Sequence, residues 1–246
     1  MFGFGKELNF YWRSLLRILY PPRCIFCELP LLLEETDLCR ACTKKIEPLK
    51  SPTCLKCAHP MAPYEGRGSV CSSCRSERPH FDRGFALTGY AEPIRQLFHQ
   101  IKFQKKLWLL GLFSRLLEHS SIAHELNRYD LLIPVPLDWW RERQRGFNQA
   151  ALIAEMLKRS GGNPKLQITR CIQKKKRTPP QSKLRRDERL KNLNGVFQLK
   201  NSRLIRGKHI LLVDDIFTTG STINECAKLL KANGAEHVDF FSIARS

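Results

Sequence analysis

Four Cys-x-x-Cys pairs crowd into residues 24–74 of this 246-residue chain: Cys24 with Cys27, Cys39 with Cys42, Cys54 with Cys57, and Cys71 with Cys74. That spacing lets two thiolates grip one ion from a tight turn, with zinc–sulfur bonds of about 2.3 Å, and two such turns complete a tetrahedral shell. The eight cysteines therefore predict two Zn²⁺ ions in closed, structural, all-thiolate sites. Sequential pairing is simplest, with Cys24, Cys27, Cys39 and Cys42 in one set and Cys54, Cys57, Cys71 and Cys74 in the other. Gaps of eleven, eleven and thirteen residues between the pairs leave a cross-braced arrangement open. A disulfide framework needs an oxidising compartment, and no export signal is read here. A thioredoxin-like redox motif uses one such pair, not four in a row. His59, beside the third pair, reads as a surface histidine. The stretch 21–79 is too short and polar to build much core, so metal supplies its folding energy, on the order of 10 kcal/mol per site. Cys171 and Cys226 stand apart, and Cys226 falls on the apolar face of a predicted helix, which makes it a core residue.

Ahead of the cysteines, Leu8, Trp12, Leu15, Leu16 and Leu19 recur at helical spacing, which predicts an amphipathic helix over 1–20. Arg13 and Arg17 interrupt that stretch and no small-residue cleavage site follows it, so it reads against a signal peptide. The helix is expected to pack on the protein, with a membrane-surface or partner helix as the alternative. No run of eighteen apolar residues occurs, so no transmembrane helix is expected and the cytoplasm is the expected location. The chain carries 42 Lys+Arg against 23 Asp+Glu, a formal charge of +19. Such a surface attracts polyanions: nucleic acid, anionic membrane or phosphorylated small molecules.

From about residue 80 to 246 the pattern becomes α/β. Strands are expected at 85–90, 131–135, 166–169, 196–199, 210–213 and 238–243, and helices at 93–103, 107–119, 148–159 and 221–232. This alternation predicts a mostly parallel sheet with helices on both faces. Its most informative stretch is Ile210-Leu-Leu-Val-Asp-Asp-Ile-Phe-Thr-Thr-Gly-Ser-Thr222. Four apolar residues form a buried strand, and Asp214 and Asp215 follow at its carboxyl end, where open α/β sheets bind ligands. The hydroxyl-rich loop Thr218, Thr219, Gly220, Ser221 and Thr222 then enters a helix, an arrangement suited to a phosphate monoester. The paired acids suit the two hydroxyls of a ribose.

This stretch resembles the motif by which type I phosphoribosyltransferases bind 5-phosphoribosyl-1-pyrophosphate (PRPP). The resemblance implies that Asp214 and Asp215 hold the ribose 3′- and 2′-hydroxyls, that Thr218–Thr222 wrap the 5′-phosphate, and that Mg²⁺ accompanies the ligand. Upstream, Ile133-Pro-Val-Pro136 leads into a segment bearing Arg141, Arg143 and Arg145, placed where such proteins carry a pyrophosphate loop. Segment 170–193 holds ten basic residues against two acidic ones, including Lys183, Arg185, Arg186 and Arg189. In an enzyme of this fold it would be the flap over the pyrophosphate, and otherwise a disordered basic loop.

Arg143-x-Arg145-Gly-Phe-Asn-Gln149, Gln181-x-x-Leu184 with Arg189-x-x-Asn192, and the Asp214-Asp215 motif together resemble the ComF family. The resemblance implies an N-terminal double zinc ribbon ahead of a phosphoribosyltransferase domain, and a part in natural competence, the bacterial uptake of DNA. Two functions follow as expectations. One is a cytoplasmic protein binding PRPP and single-stranded DNA, working with other DNA-uptake proteins. There, Lys102, Lys105, Lys106 and the arginines would track phosphates, with Trp139, Trp140 and Phe147 stacking on bases. The other is a transferase moving the phosphoribosyl group to an acceptor. No segment reads as a nucleobase hood, and no general base is evident.

Overall fold

Side chains alternate across a strand, so four consecutive apolar residues require cover on both faces of a sheet. The computed structural model shows that cover. It describes residues 20–32, 34–35, 37–62, 69–118, 120–161, 163–175 and 195–246. Residues 1–19 of the expected N-terminal helix and the basic run 176–194 lie outside that set. The strands are β1 (Gly84–Gly89), β2 (Leu131–Pro134), β3 (Gln167–Ile168), β4 (Ile172–Lys174), β5 (Phe197–Leu199), β6 (His209–Phe217) and β7 (His237–Arg245). Five of them form one sheet in the order β1-β7-β6-β2-β3, every neighbouring pair parallel. The helices are α1 (Arg40–Lys44), α2 (Ser72–Glu77), α3 (Ile94–Gln104), α4 (Gly111–Glu118), α5 (Ser121–Glu125), α6 (Trp139–Arg145), α7 (Gln149–Ser160) and α8 (Ser221–Ala232).

Ile210 and Leu212 share one buried face with Ile133, Val238 and Phe240, beneath Ile223, Cys226, Ala227 and Leu230 of α8. Leu211 and Val213 face the other way, with Leu132 and Phe241, beneath α3, α4 and α7. Phe98, Phe113, Phe240 and Phe241 are at most 1% exposed, and each contributes roughly 1.5–3 kcal/mol relative to an exposed ring. Cys226 is a core residue, as its helical position predicts.

Several elements differ from the sequence expectation. The helix expected at 107–119 is a 3-10 turn over Leu107–Leu110 followed by α4, Ile172–Lys174 of the expected flap is a strand, and α5 has no counterpart among the expected helices. Three further differences bear on the site. The strand expected at 196–199 does not join the sheet: β5 pairs antiparallel with β4, Ile172 opposite Leu199 and Lys174 opposite Phe197. The segment 139–145 is a helix. It carries no apolar stripe, but Asp138 Oδ1 accepts from Arg141 N–H at 3.0 Å at its start, and Gly146 closes it at φ +82°. Those two caps were the available signal. Finally, β6 continues four residues past Val213. Its pairing with β2 ends at Pro134 opposite Val213, whereas pairing with β7 continues to Phe217 opposite Arg245. Connections leave in opposite directions on the two sides of this gap, so it is the switch point at which such sheets bind ligands.

The cysteine-rich segment covers the edge of β1. Pro48 bridges Thr88 antiparallel, Leu49 N–H donates to Leu87 O at 2.9 Å, and Gly84 N–H donates to Leu55 O at 3.0 Å. An edge that would otherwise expose unpaired backbone groups is thereby closed.

Candidate metal and phosphate sites

The eight paired cysteines form two sets in sequential order, Cys24/Cys27/Cys39/Cys42 and Cys54/Cys57/Cys71/Cys74, with the sulfurs of each set within 4.8 Å of one another. Cross-bracing is thereby excluded. The turns holding them repeat thirty positions apart. Cys24 N–H donates to Leu29 O and Cys54 N–H to His59 O, both at 2.8 Å; Glu28 N–H donates to Cys24 O and Ala58 N–H to Cys54 O, both at 2.9 Å. Glu28 (φ 58°) and Ala58 (φ 54°) take left-handed conformations that let the chain double back onto the second thiol. A backbone N–H also meets a thiol across each set, Cys39 to Cys24 Sγ at 3.4 Å and Cys71 to Cys54 Sγ at 3.3 Å.

This donor set fits Zn²⁺: four sulfurs within reach of one ion, and polar hydrogens aimed at thiolates. Without a cation, charge within each set is self-limiting. The hydrogen bond with Cys74, working against burial, holds Cys57 down at about 4, and the same bond pushes Cys74 far above its ordinary range. Burial, followed by the Cys39 thiol, raises Cys42 to about 12. A dication is what permits four thiolates together. A third cluster, Asp82, His237 and Asp239, has comparable spacing. There Lys231 Nζ already lies 2.6 Å from Asp82 Oδ2, Tyr129 OH donates to Asp239 Oδ2 at 2.6 Å, and the group reads as an ion-pair network.

The phosphate-type loop sits at the switch point. Asp214 and Asp215 lie in the one-sided part of β6, half-buried. Asp215 N–H donates to Asp214 Oδ1 at 2.8 Å. Gly220 (φ +76°) turns the chain into α8, which no side chain caps, and a helix start of this kind suits a phosphate group. Thr219 Oγ1 and Ser221 Oγ are 2.9 Å apart. A Cβ on Gly220 would lie 2.5 Å from Phe217 Cζ, so the loop closes only with glycine there.

One cation contacts these acids and a second feels their charge. Lys102 Nζ, at the end of α3, contacts Asp215 Oδ2 at 2.6 Å. Arg145 is lowered from its ordinary range by burial and partly restored by the Asp215 charge. The other two arginines of α6 turn elsewhere: Arg141 pairs with Asp138 at 3.2 Å, and Arg143 lies 5.1 Å over the Trp139 ring. Asn148 ties the following helix to β2, its Nδ2 donating to Val135 O at 3.1 Å and its Oδ1 accepting from Ala151 N–H at 3.4 Å. Lys183, Arg185, Arg186 and Arg189 lie outside the described residues. Sequence reasoning placed Lys102 only in a general basic surface and missed Arg245 altogether. Arg245 Nη1 donates to Thr218 O at 3.1 Å. No local pattern marks either contact, because both cross between distant segments.

Burial first, and then the Asp215 charge, push the Asp214 carboxyl up to about 8. An unfolded aspartate titrates at about 3.9. Between those values the folded chain holds a proton that the unfolded chain has released, so stability falls as pH rises from about 4 to about 8. Asp214→Asn keeps the acceptor for Asp215 N–H and removes the titration. It is expected to melt above wild type at pH 8 and close to it near pH 4. Parallel melting curves across that range would contradict the assignment.

A parallel sheet whose acidic strand end opens onto a glycine-turned helix, preceded by two four-cysteine sets, defines a phosphoribosyltransferase-domain protein with a zinc-ribbon module. Family comparison agrees: residues 15–79 match the double zinc ribbon domain and residues 145–245 the phosphoribosyl transferase domain. Similarity to whole proteins runs along nearly the entire chain. Competence protein F of Haemophilus influenzae is 33% identical, over 91% of this chain and 97% of that protein. DNA utilization protein YhgH of Escherichia coli K12 is 31% identical, over 92% and 98%, and Competence protein ComFC of Bacillus subtilis 28%, over 88% and 87%. The chain belongs to the ComF family of competence and DNA-utilization proteins. Among the described residues no helix is long and apolar enough to cross a membrane.

Proposed function

We propose that this chain is a cytoplasmic PRPP-binding protein of DNA uptake that also takes single-stranded DNA, with two structural zinc ions in its cysteine sets. The observation that carries the PRPP reading is the pairing of Asp214 and Asp215 with the Gly220-led start of α8 at the open side of β6. The acids would face the ribose hydroxyls and residues Thr218–Thr222 the 5′-phosphate. Lys102, which contacts Asp215, and Arg145, which feels the Asp215 charge, are candidate cations for the pyrophosphate. Mg²⁺ would travel with the ligand, supplying charge neutralisation among oxygen donors of the kind it prefers. Lys102 would then exchange its Asp215 contact for the incoming ligand.

The DNA reading is supported by the +19 charge and by solvent-exposed aromatic rings. Trp139 is 67% exposed, Trp140 54% and Phe103 66%, and Arg143 covers one face of Trp139. Phe147 is half-buried against the core beneath α7, so it is withdrawn from the stacking group. The names of the relatives, competence and DNA-utilization proteins, point the same way. A transferase reading has one observation in its favour. A cleft of about 240 Å³ opens at the end of β2, lined by Pro134, Pro136, Trp139, Glu142, Ile172 and Lys174, and could seat an acceptor.

Calorimetric titration tests these readings together. PRPP with Mg²⁺ is expected to bind wild type and not Asp214→Asn/Asp215→Asn. Oligo-dT is expected to bind both, with log affinity falling by about 0.7 per neutralised phosphate for each decade of salt. A salt-independent oligo-dT affinity would remove the DNA reading, and equal PRPP affinity in both proteins the PRPP reading. Pyrophosphate release stimulated by a base or amine would establish the transferase.

A further inference from the structure

The two cysteine sets are attached to different parts of the molecule. Cys24 and Cys42 form a small cluster of their own, packed against Leu112 of α4, and Ile25 O accepts from Gln100 Nε2 at 3.4 Å. Cys54, Cys57, Cys71 and Cys74 instead share one core cluster with Phe81, Phe217, Ile223, Ala227 and Phe240. Those residues bracket the phosphate-type loop. Phe217 precedes the loop, Ile223 follows it, and Phe240 stacks on Phe217 at 4.4 Å between centroids.

One side chain joins the second set to the loop directly. Arg245, at the end of β7, donates from Nε to Cys57 O at 3.1 Å and from Nη1 to Thr218 O at 3.1 Å. Its guanidinium lies 4.9 Å over the Phe217 ring. Beside it, Ser246 N–H donates to Phe217 O at 2.9 Å. Two forked donors in one rigid plane thus hold the backbone of a metal knuckle and the backbone of the loop at a set separation, a pre-organised geometry that flexible donors lack. A further tie comes from behind, where His80 N–H donates to Asn224 Oδ1 in the first turn of α8 at 2.7 Å.

We infer that Arg245 is a positioning residue coupling the second cysteine set to the phosphate loop, so that metal in that set and a phosphorylated ligand in the loop strengthen each other's binding. This rests on the PRPP reading above. Through Arg245 the position of Cys57 O bears on that of Thr218 O, and an ion closing the knuckle would fix Cys57 O in turn. Coupling between sites is reciprocal, so the effect is readable from the metal side.

The test is zinc affinity by chelator competition, with and without PRPP and Mg²⁺. Asp214→Asn/Asp215→Asn serves as the control for chelation by PRPP itself. In wild type, PRPP is expected to tighten one of the two ions about 5-fold or more and leave the other unchanged. In Cys42→Ser, which opens only the first set, the ion that remains is expected to be the one PRPP protects. Arg245→Lys keeps the charge but lacks the rigid planar pair of donors; it should retain two ions while the protection falls below twofold and PRPP affinity drops by a similar factor. Equal protection of both ions, or full protection in Arg245→Lys, would overturn the coupling; the wild-type comparison decides alone if the variant does not fold. Absence of PRPP uptake by wild type would sink the PRPP reading itself, whereas uptake without selective protection sinks only the coupling.

Discussion

Gly220→Val is expected to weaken PRPP binding about 100-fold or more, a loss equivalent to roughly 2.8 kcal/mol. Two costs combine at this position. Gly220 has φ +76°, and an ordinary L-residue there costs about 1–2 kcal/mol. The new Cβ would also lie 2.5 Å from Phe217 Cζ. An aromatic ring tip can often swing aside, but this one is held on three sides. It stacks on Phe240 at 4.4 Å, meets the edge of Phe81 at 6.0 Å, and lies beneath the Arg245 guanidinium. Forcing such a ring costs about 1–3 kcal/mol more. The loop is the softer partner, so it gives way, and the spacing of Thr218–Thr222 around a phosphate goes with it. Calorimetry reads the affinity, and a fall of several degrees in melting temperature should accompany it. A Gly220→Val protein with unaltered PRPP affinity would mean that this loop does not cradle the phosphate.

The second large effect is a difference between two serine substitutions of the same kind. Each removes one thiolate from a closed set, and such sites are worth on the order of 10 kcal/mol of folding energy. Cys27→Ser is expected to cost one zinc ion and loosen the first knuckle, while the main unfolding transition of the sheet stays near its wild-type temperature. Cys27 is exposed, and the buried residues of its cluster are Cys24, Leu31, Leu38 and Cys42, which meet the sheet core only through partly buried side chains such as Ile25, Phe26, Ile46 and Leu112. Cys57→Ser is expected to cost one ion as well and to bring down the sheet transition, by at least the ~3–5 kcal/mol typical of losing a large core side chain. Its set is continuous with Phe81, Phe217 and Phe240, and Leu55 O beside it accepts from the first residue of β1. Zinc content measured by mass spectrometry and the unfolding profile measured by scanning calorimetry check both. Equal sheet transitions in the two variants would show that the second knuckle is as peripheral as the first.

Much of the site was readable from local sequence because its parts are local. The Cys-x-x-Cys spacing brings two sulfurs together within one turn, whatever the rest of the chain does. Residues 210–222 form strand, acids, loop and helix start in covalent order, and α8 begins at Ser221 and ends at Ala232 as its pattern indicates. Where several segments must agree, local signals ran out. Nearly equal gaps between cysteine pairs leave two groupings open, and packing against different elements separates them. The strand expected to stop at Val213 continues because β7 supplies a partner as far as Arg245. The arginines of 141–145 share one segment, yet Arg141 pairs with Asp138, Arg143 lies over Trp139 and Arg145 is buried within reach of the Asp215 charge, since helical spacing points neighbours in different directions.

By itself, then, the sequence specified the two metal-type knuckles, the α/β character and the acid–loop–helix element, each of which depends on residues a few positions apart. The tertiary structure alone decided which cysteines share a set, which lysine meets Asp215, and how Arg245 joins the second knuckle to the loop. Those are contacts between segments far apart in the chain. Burial and hydrogen-bond geometry select them only once the sheet has formed, and no spacing along the chain records the choice.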